Sequence, residues 1–300
     1  MRLGLIVLLC LLNAGCALWR RDREEPVENG PRKEKAEPVL KPSEALKPKS
    51  LELASPISDH FFVRGTYFQA PVTTQLQLSS TGANPAAPDG DIVSLEDDYG
   101  MDDVINQARM EFDIRMRERN HLRIDYFKLN RFGEVLSENA VAVGNLDFAV
   151  GDTIRSKFDW RVLSLTYTYS LFKAERFEAG VGLGVHIIEA KFEISEPGTA
   201  NRESFSEVAP FATVAANAAY RISKRWAVTA RAQTFTLNRR DYEGTLSDYH
   251  ADVQYRWRKN FAVGIGYTKL FSELILHGAD QPIFFSMDTN GPELFFRASF

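Results

Sequence analysis

Cysteine is nearly missing from this 300-residue chain: Cys10 and Cys16 are the two that occur, and both lie at its start. The remainder can hold no disulfide, no cysteine-ligated metal and no cysteine nucleophile. Long apolar runs are just as scarce. The one example, residues 3–12, is too short to cross a bilayer as a helix. Charge of one sign is not in excess either, since the formal net charge is -4, and this argues against a nucleic-acid partner. The five histidines are scattered and fall in no HExxH or other zinc spacing, and no GxSxG elbow occurs. No cofactor is expected.

What is present changes character along the chain. Arg2, the apolar run and the small-residue patch Asn13-Ala14-Gly15-Cys16-Ala17 have the layout of a secretory signal over residues 1–17. Two processing fates fit. Residues 12–16 resemble a lipobox, with Asn13 in place of the usual aliphatic residue, which makes Cys16 a lipidation candidate; the other fate is cleavage after Ala17. Residues 18–53 are rich in Arg, Glu, Lys and Pro, with Pro26, Pro31, Pro38, Pro42 and Pro48 spaced through them. Such a segment buries too little apolar surface to offset its ordering entropy, and it reads as a disordered linker.

Beyond Pro56 the period becomes two, the spacing that puts alternate side chains on opposite faces of a strand. Over residues 107–116, Ala108, Met110, Phe112, Ile114 and Met116 share one face, while Gln107, Arg109, Glu111, Asp113 and Arg115 share the other. The polar face carries a dense row of both charge signs, as a barrel interior does and a solvated sandwich face need not. The same rhythm marks segments beginning near 61, 122, 163, 181, 212, 226, 251 and 261.

Short connections at 118–120, 171–176, 222–225 and 258–260 alternate with longer ones at about 70–103, 131–151, 195–205, 239–245 and 270–291. That asymmetry belongs to an antiparallel up-and-down transmembrane β-barrel occupying residues 57–300. The count is ten strands. A hairpin-like extension over residues 140–157 leaves eight and twelve open. Aromatic residues flank most short turns, Phe172 and Phe177, Tyr220 and Trp226, Trp257 and Phe261, as an interfacial girdle does.

The final segment, residues 292–300, places Leu294, Phe296, Ala298 and Phe300 on one face and ends in Phe. It resembles the C-terminal signature of the bacterial outer-membrane β-barrel family. The resemblance covers roughly residues 58–300 and implies an outer-membrane location, contact with outer-membrane lipid, a linker lying in the periplasm, and recognition of Leu294, Phe296 and Phe300 by the barrel assembly machinery. Architecture follows from it; function does not.

Strand parity points Arg64, Arg109, Arg115, Arg123, Arg231, Arg256 and Arg297 inward together with Glu111, Asp113, Asp125 and Asp252. A ten-stranded barrel is only slightly wider than the eight-stranded size that side chains fill, so these charges are expected to meet across the lumen. Since bases outnumber acids in this set, any leak should favour anions.

Other patterns are weaker. Gly180, Gly182 and Gly184 have the wrong spacing for a nucleotide loop and read as room for side chains from across the lumen. Asp89, Asp91, Glu96, Asp97, Asp98, Asp102 and Asp103 crowd the first long loop, a density that suits either Ca²⁺ or plain solvation. Asp248-Tyr249-His250, near the outer end of a strand, resembles the Asp-x-His half of the omptin proteases, with Asp89 and Asp91 as counterpart, though the rest of that pattern is absent. The reading is a non-enzymatic barrel with a structural or surface-interaction role, its extracellular ligand unidentified. A small passive pore and an omptin-like protease are the alternatives.

Overall fold

Every polar backbone group buried in an apolar setting needs a partner, and a sheet meets that demand at all its edges only by closing on itself. The computed structural model describes residues 56–78, 92–138, 141–143, 146–239, 242–276 and 283–300. The expected signal with Cys16 and the linker over 18–53 lie outside them. The strands are β1 (Phe61–Leu78), β2 (Val93–Ser94), β3 (Val104–Arg117), β4 (Asn120–Leu136), β5 (Val141–Val143), β6 (Leu146–Phe148), β7 (Thr153–Lys173), β8 (Phe177–Ser195), β9 (Arg202–Arg221), β10 (Trp226–Arg239), β11 (Tyr242–Arg256), β12 (Phe261–Leu276) and β13 (Ile283–Ser299). Ten of them close an antiparallel barrel in the order β1-β3-β4-β7-β8-β9-β10-β11-β12-β13, the last pairing back onto the first from Phe62↔Ser299 to Leu78↔Ile283. Pairing in that seam is interrupted between Phe68↔Glu293 and Val72↔Thr289. Pro71 and Pro292, which have no N–H to give, sit in the gap.

The short turns fall at 118–119, 174–176, 222–225 and 257–260. At this end an aromatic ring system packs on the outside: Trp257 against Phe261 and Phe296 at centroid distances of 6.2 and 5.9 Å, and Phe61 against Phe300 at 6.3 Å.

At the opposite end the strands run further than the sequence reading allowed, and the reason is physical. On β1 the outward face reads Phe61, Val63, Tyr67 and then Gln69, Thr73, Gln75, while the inward face reads Arg64, Thr66 and then Phe68, Val72, Leu76. On β7, inward Ser170, Thr168, Thr166 and Ser164 give way to Val162, Trp160 and Phe158, and outward Tyr169, Tyr167, Leu165 and Leu163 to Arg161 and Lys157. The period of two never stops; it changes hands. Read as an amphipathic pattern of one sign, that inversion looks like the start of a loop. The connection between β10 and β11 is accordingly residues 240–241 alone, not 239–245, and that between β12 and β13 is 277–282. The 140–157 region likewise divides into a separate small hairpin, β5–β6, and strand β7, which pairs with β4 up to Leu136↔Thr153.

The barrel therefore has two storeys. In the lower one, next to the short turns, apolar side chains face out and polar ones face in. On β8 the apolar exterior lasts from Phe177 to Ile187, about 25 Å of height at a rise of ~3.3 Å per residue and a tilt of ~40°. In the upper one, polar side chains face out and an apolar cluster fills the middle, with Phe68, Phe127, Phe158, Trp160, Phe192, Phe211, Leu246 and Met287 all buried. The lower storey matches hydrocarbon and the upper one matches water.

Candidate functional site

In the lower storey, the inward positions of alternate strands deliver charged groups to one space. Arg64 of β1 reaches Asp252 of β11 at 2.7 Å and also pairs with Glu293 of β13. Its guanidinium lies 3.6 Å from the Phe295 ring centre. Phe295 in turn occupies the space above Gly264, where an added Cβ would come within 2.3 Å of the ring. Arg109 of β3 binds Asp125 and Asp248, each at 2.7 Å, and Arg231 of β10 pairs with Glu111. Arg123 lies 3.3 Å from both Glu111 and Asp113, and Arg115 forks onto Glu178, with both bonds at 2.9 Å. His121 bridges Asp113 and Glu178 at 3.2 and 3.1 Å.

The structure places every charged residue of the expected lumen set inside the wall and in contact with at least one opposite charge. It adds Glu178, Asp248 and Glu293, which parity alone could have assigned, and Asp59, which it could not. Asp59 precedes β1, yet its carboxylate receives Arg256 at 2.6 Å and Arg297 at 2.8 Å, and its carbonyl accepts from Arg115 Nε at 3.2 Å. With these four carboxylates included, acids are no longer outnumbered by the arginines, and the expected anion preference of a leak is withdrawn. Within this layer lies a cavity of about 60 Å³, bordered by Arg64, Glu111, Asp113, Arg123, Asn217 and Arg231.

The glycine expectation also changes. Gly180 and Gly182 lie closest to the β7 backbone, at Tyr169 and Tyr167, whereas the space at Gly184 is taken by lumen side chains, Thr213, Gln233 and Thr166, from strands on the same side of the barrel.

Above the charges lies the apolar core of the upper storey, closed by part of the first long loop. β2 pairs with β1 through Gln75↔Ser94 and Leu76↔Val93. The turn beyond it sends Leu95, Tyr99 and Met101 into the core. Gly100, at φ 63°, supplies the left-handed step between the last two. Tyr99 packs edge-on against Phe192 at 5.5 Å. Burial, with Asp98 adding to it, pushes its hydroxyl up to about 12, so it stays neutral. Two acidic residues of this loop go to separate partners, Glu96 to Arg131 at 2.6 Å and Asp98 to the Ser94 N–H at 2.7 Å. Among the described residues no three potential ligands gather around a metal position. Asp89 and Asp91 lie outside those residues.

Asp248 and His250 do not sit at the outer end of β11, as expected. They lie below Leu246, at the top of the charged layer, 2% and 4% exposed. His250 Nε2 is 2.7 Å from Asp248 Oδ1, the other carboxylate oxygen takes Arg109, and His250 Nδ1 faces Glu293 at 3.4 Å. Leu294, Phe296 and Phe300 all face outward near the short-turn end.

No protein-family profile matches the chain, and a search of curated proteins gives no match. Among solved structures it is similar to the outer membrane protease OmpT from Escherichia coli, at 9% identity over 84% of this chain and 100% of that one, with a TM-score of 0.48. It is also similar to the transport unit of the autotransporter AIDA-I from Escherichia coli, at 9% identity over 84% and 94%, TM-score 0.40. A third is Ail, the attachment invasion locus protein of Yersinia pestis, at 10% over 77% and 98%, TM-score 0.29. The closed strand order, the apolar lower exterior and the aromatic ring at its rim define a transmembrane β-barrel of the bacterial outer-membrane class.

Proposed function

We propose that this barrel is non-conducting and non-enzymatic, and that its upper storey presents an interaction surface outside the cell. The observation that carries this reading is the double closure of the lumen, a charge-paired layer below and a dry apolar layer above. Ions crossing it would have to break buried pairs and then pass an apolar plug, which is costly on both counts. The orientation follows from the asymmetry of the two ends: short turns face the periplasm, where the residue 18–53 linker would lie, and the upper storey faces out. Lipid would bind the lower exterior, and the assembly machinery would read the outward Leu294, Phe296 and Phe300. Planar-bilayer recording tests the proposal: the wild-type barrel should give no steady current, and large conductance would make the pore reading the correct one.

The protease reading turns on Asp248 and His250. Both are buried under Leu246, and the carboxylate that would orient the imidazole is also engaged by Arg109. Incubation of the purified barrel with a mixture of quenched fluorescent peptides should show no cleavage. Cleavage that disappears in Asp248→Ala and His250→Ala would overturn the non-enzymatic assignment.

A further inference from the structure

The wall of the upper storey is not zipped all the way round. β8 and β9 pair over their whole length, from Phe177↔Tyr220 to Ser195↔Arg202. β9 and β10 pair only from Ala227↔Arg221 to Thr234↔Val214. Among the described residues, β10 above that point continues to Arg239 on the side of β11 alone, and β9 residues 204–213 are laddered on the β8 side alone. Below it the wall is complete, as hydrocarbon requires, since lipid offers no hydrogen bonds to an open edge. The opening begins where outward Thr234, Thr236 and Asn238 replace outward Ala230 and Ala232. It is thus confined to the water-facing storey.

Three features give this edge a chemistry. Its backbone donors and acceptors form a template for one more strand. Its inner face carries Phe205, Glu207, Ala209 and Phe211, with Phe235 of β10 touching Phe211 at a centroid distance of 5.6 Å at the foot of the opening. Glu207 is exposed although its parity is inward, as a residue beside an open stretch of wall would be. Pro210, paired with Ile187 on the β8 side, brings no N–H of its own, so a strand can add below and above it but not indiscriminately along the whole edge.

We propose that the free edge of β9 is a docking site for an extended peptide segment of a partner protein. The segment adds as an extra strand, with a basic side chain facing Glu207 and apolar side chains two positions to either side facing Phe205 and Ala209. Backbone bonds supply affinity and the alternate pockets supply choice, as in strand addition generally. The carboxylate between two apolar positions selects the basic residue. This rests on the surface-interaction reading above and names the class of partner.

The test uses the full chain in detergent micelles and a fluorescein-labelled peptide with Val-Thr-Lys-Thr-Val at its centre. Without peptide, every second amide of residues 204–209, those pointing away from β8, should exchange much faster than the amides that bond β9 to β8; saturating peptide should slow them. Glu207→Lys should weaken binding by about tenfold or more, and a Val-Thr-Glu-Thr-Val peptide should restore it in that variant. Equal protection of β9 and β8 in the free barrel, no protection by the peptide, or equal binding by wild type and Glu207→Lys would each overturn the proposal. Protection that rises with protein concentration in the absence of peptide would assign the edge to a second copy instead. Heat-modifiable mobility of Glu207→Lys checks that the variant is folded. Conductance of the same preparations is decided by the lumen, so a leaky barrel and a peptide-blind edge give distinguishable failures.

Discussion

Arg256 and Arg297 both pair with Ala262 across their strands and so face the lumen side by side. Two like charges held that close need one anion between them, and Asp59 is that anion. Removing one partner of a buried pair strands the other's charge, at about 3 kcal/mol or more. We therefore expect Asp59→Ala to lower the unfolding temperature on heat-modifiability gels, and Asp59→Ala with Arg297→Leu to recover part of the loss. An unchanged transition in the single variant would show that the turn before β1 does not hold the lower mouth. Glu111 plays the same part for Arg231 and Arg123. Glu111→Ala should destabilise comparably, and any leak it opens should discriminate little between ions, because arginines and carboxylates are then near balance. A clear anion preference in reversal-potential measurements would contradict this accounting.

Along a single strand the two storeys make opposite demands on the same face. Leu165 and Asp159 both point outward from β7, Leu165 within the lipid-facing band and Asp159 above it, beside Lys157 at 2.9 Å. Leu165→Arg should cost about 2–4 kcal/mol if it lies near the midplane, less toward the interface. Asp159→Arg should cost less, and through loss of its pair with Lys157 rather than through contact with lipid, because the exterior at that height is polar. The inward face reverses the order: Trp160→Ala empties a fully buried site against Phe285, 5.4 Å away, and should cost about 3–5 kcal/mol. Urea titration of the refolded barrel in micelles would rank the three, and equal costs for Leu165→Arg and Asp159→Arg would mean the inversion does not mark the edge of the membrane.

At the scale of the molecule, closure does two jobs. It satisfies the edges within the lipid, and in the upper storey it is relaxed where water takes over, between β9 and β10 and also between β3 and β4 above Arg109↔Phe127. The barrel should accordingly migrate with the outer membrane and show heat-modifiable mobility. The outward aromatic ring that ends at Phe300, stacked on Phe61, places the last residue at the lower rim. Phe300→Asp should reduce the amount of folded barrel in outer-membrane fractions several-fold by charging that rim and spoiling the segment that resembles the assembly signal. Unchanged levels would remove Phe300 from that role.

The strand count, the positions of the four short turns and the side of the wall on which each charged residue sits follow from a period of two, a local property that any residue shares with its immediate neighbours. Glu178 and Glu293 were within reach of the same rule. Asp59 was not, because it lies before the first strand and enters the lumen only through the path of the chain. Nor was the inversion of the pattern, since an apolar residue facing inward looks identical in sequence to one facing lipid until the height of the membrane is known. The partners of each arginine, the dry upper core, the position of Asp248 and His250 beneath it and the open edge of β9 depend on which strands stand opposite one another across the lumen. That is set by closure of the whole sheet, a condition no segment of the sequence contains by itself.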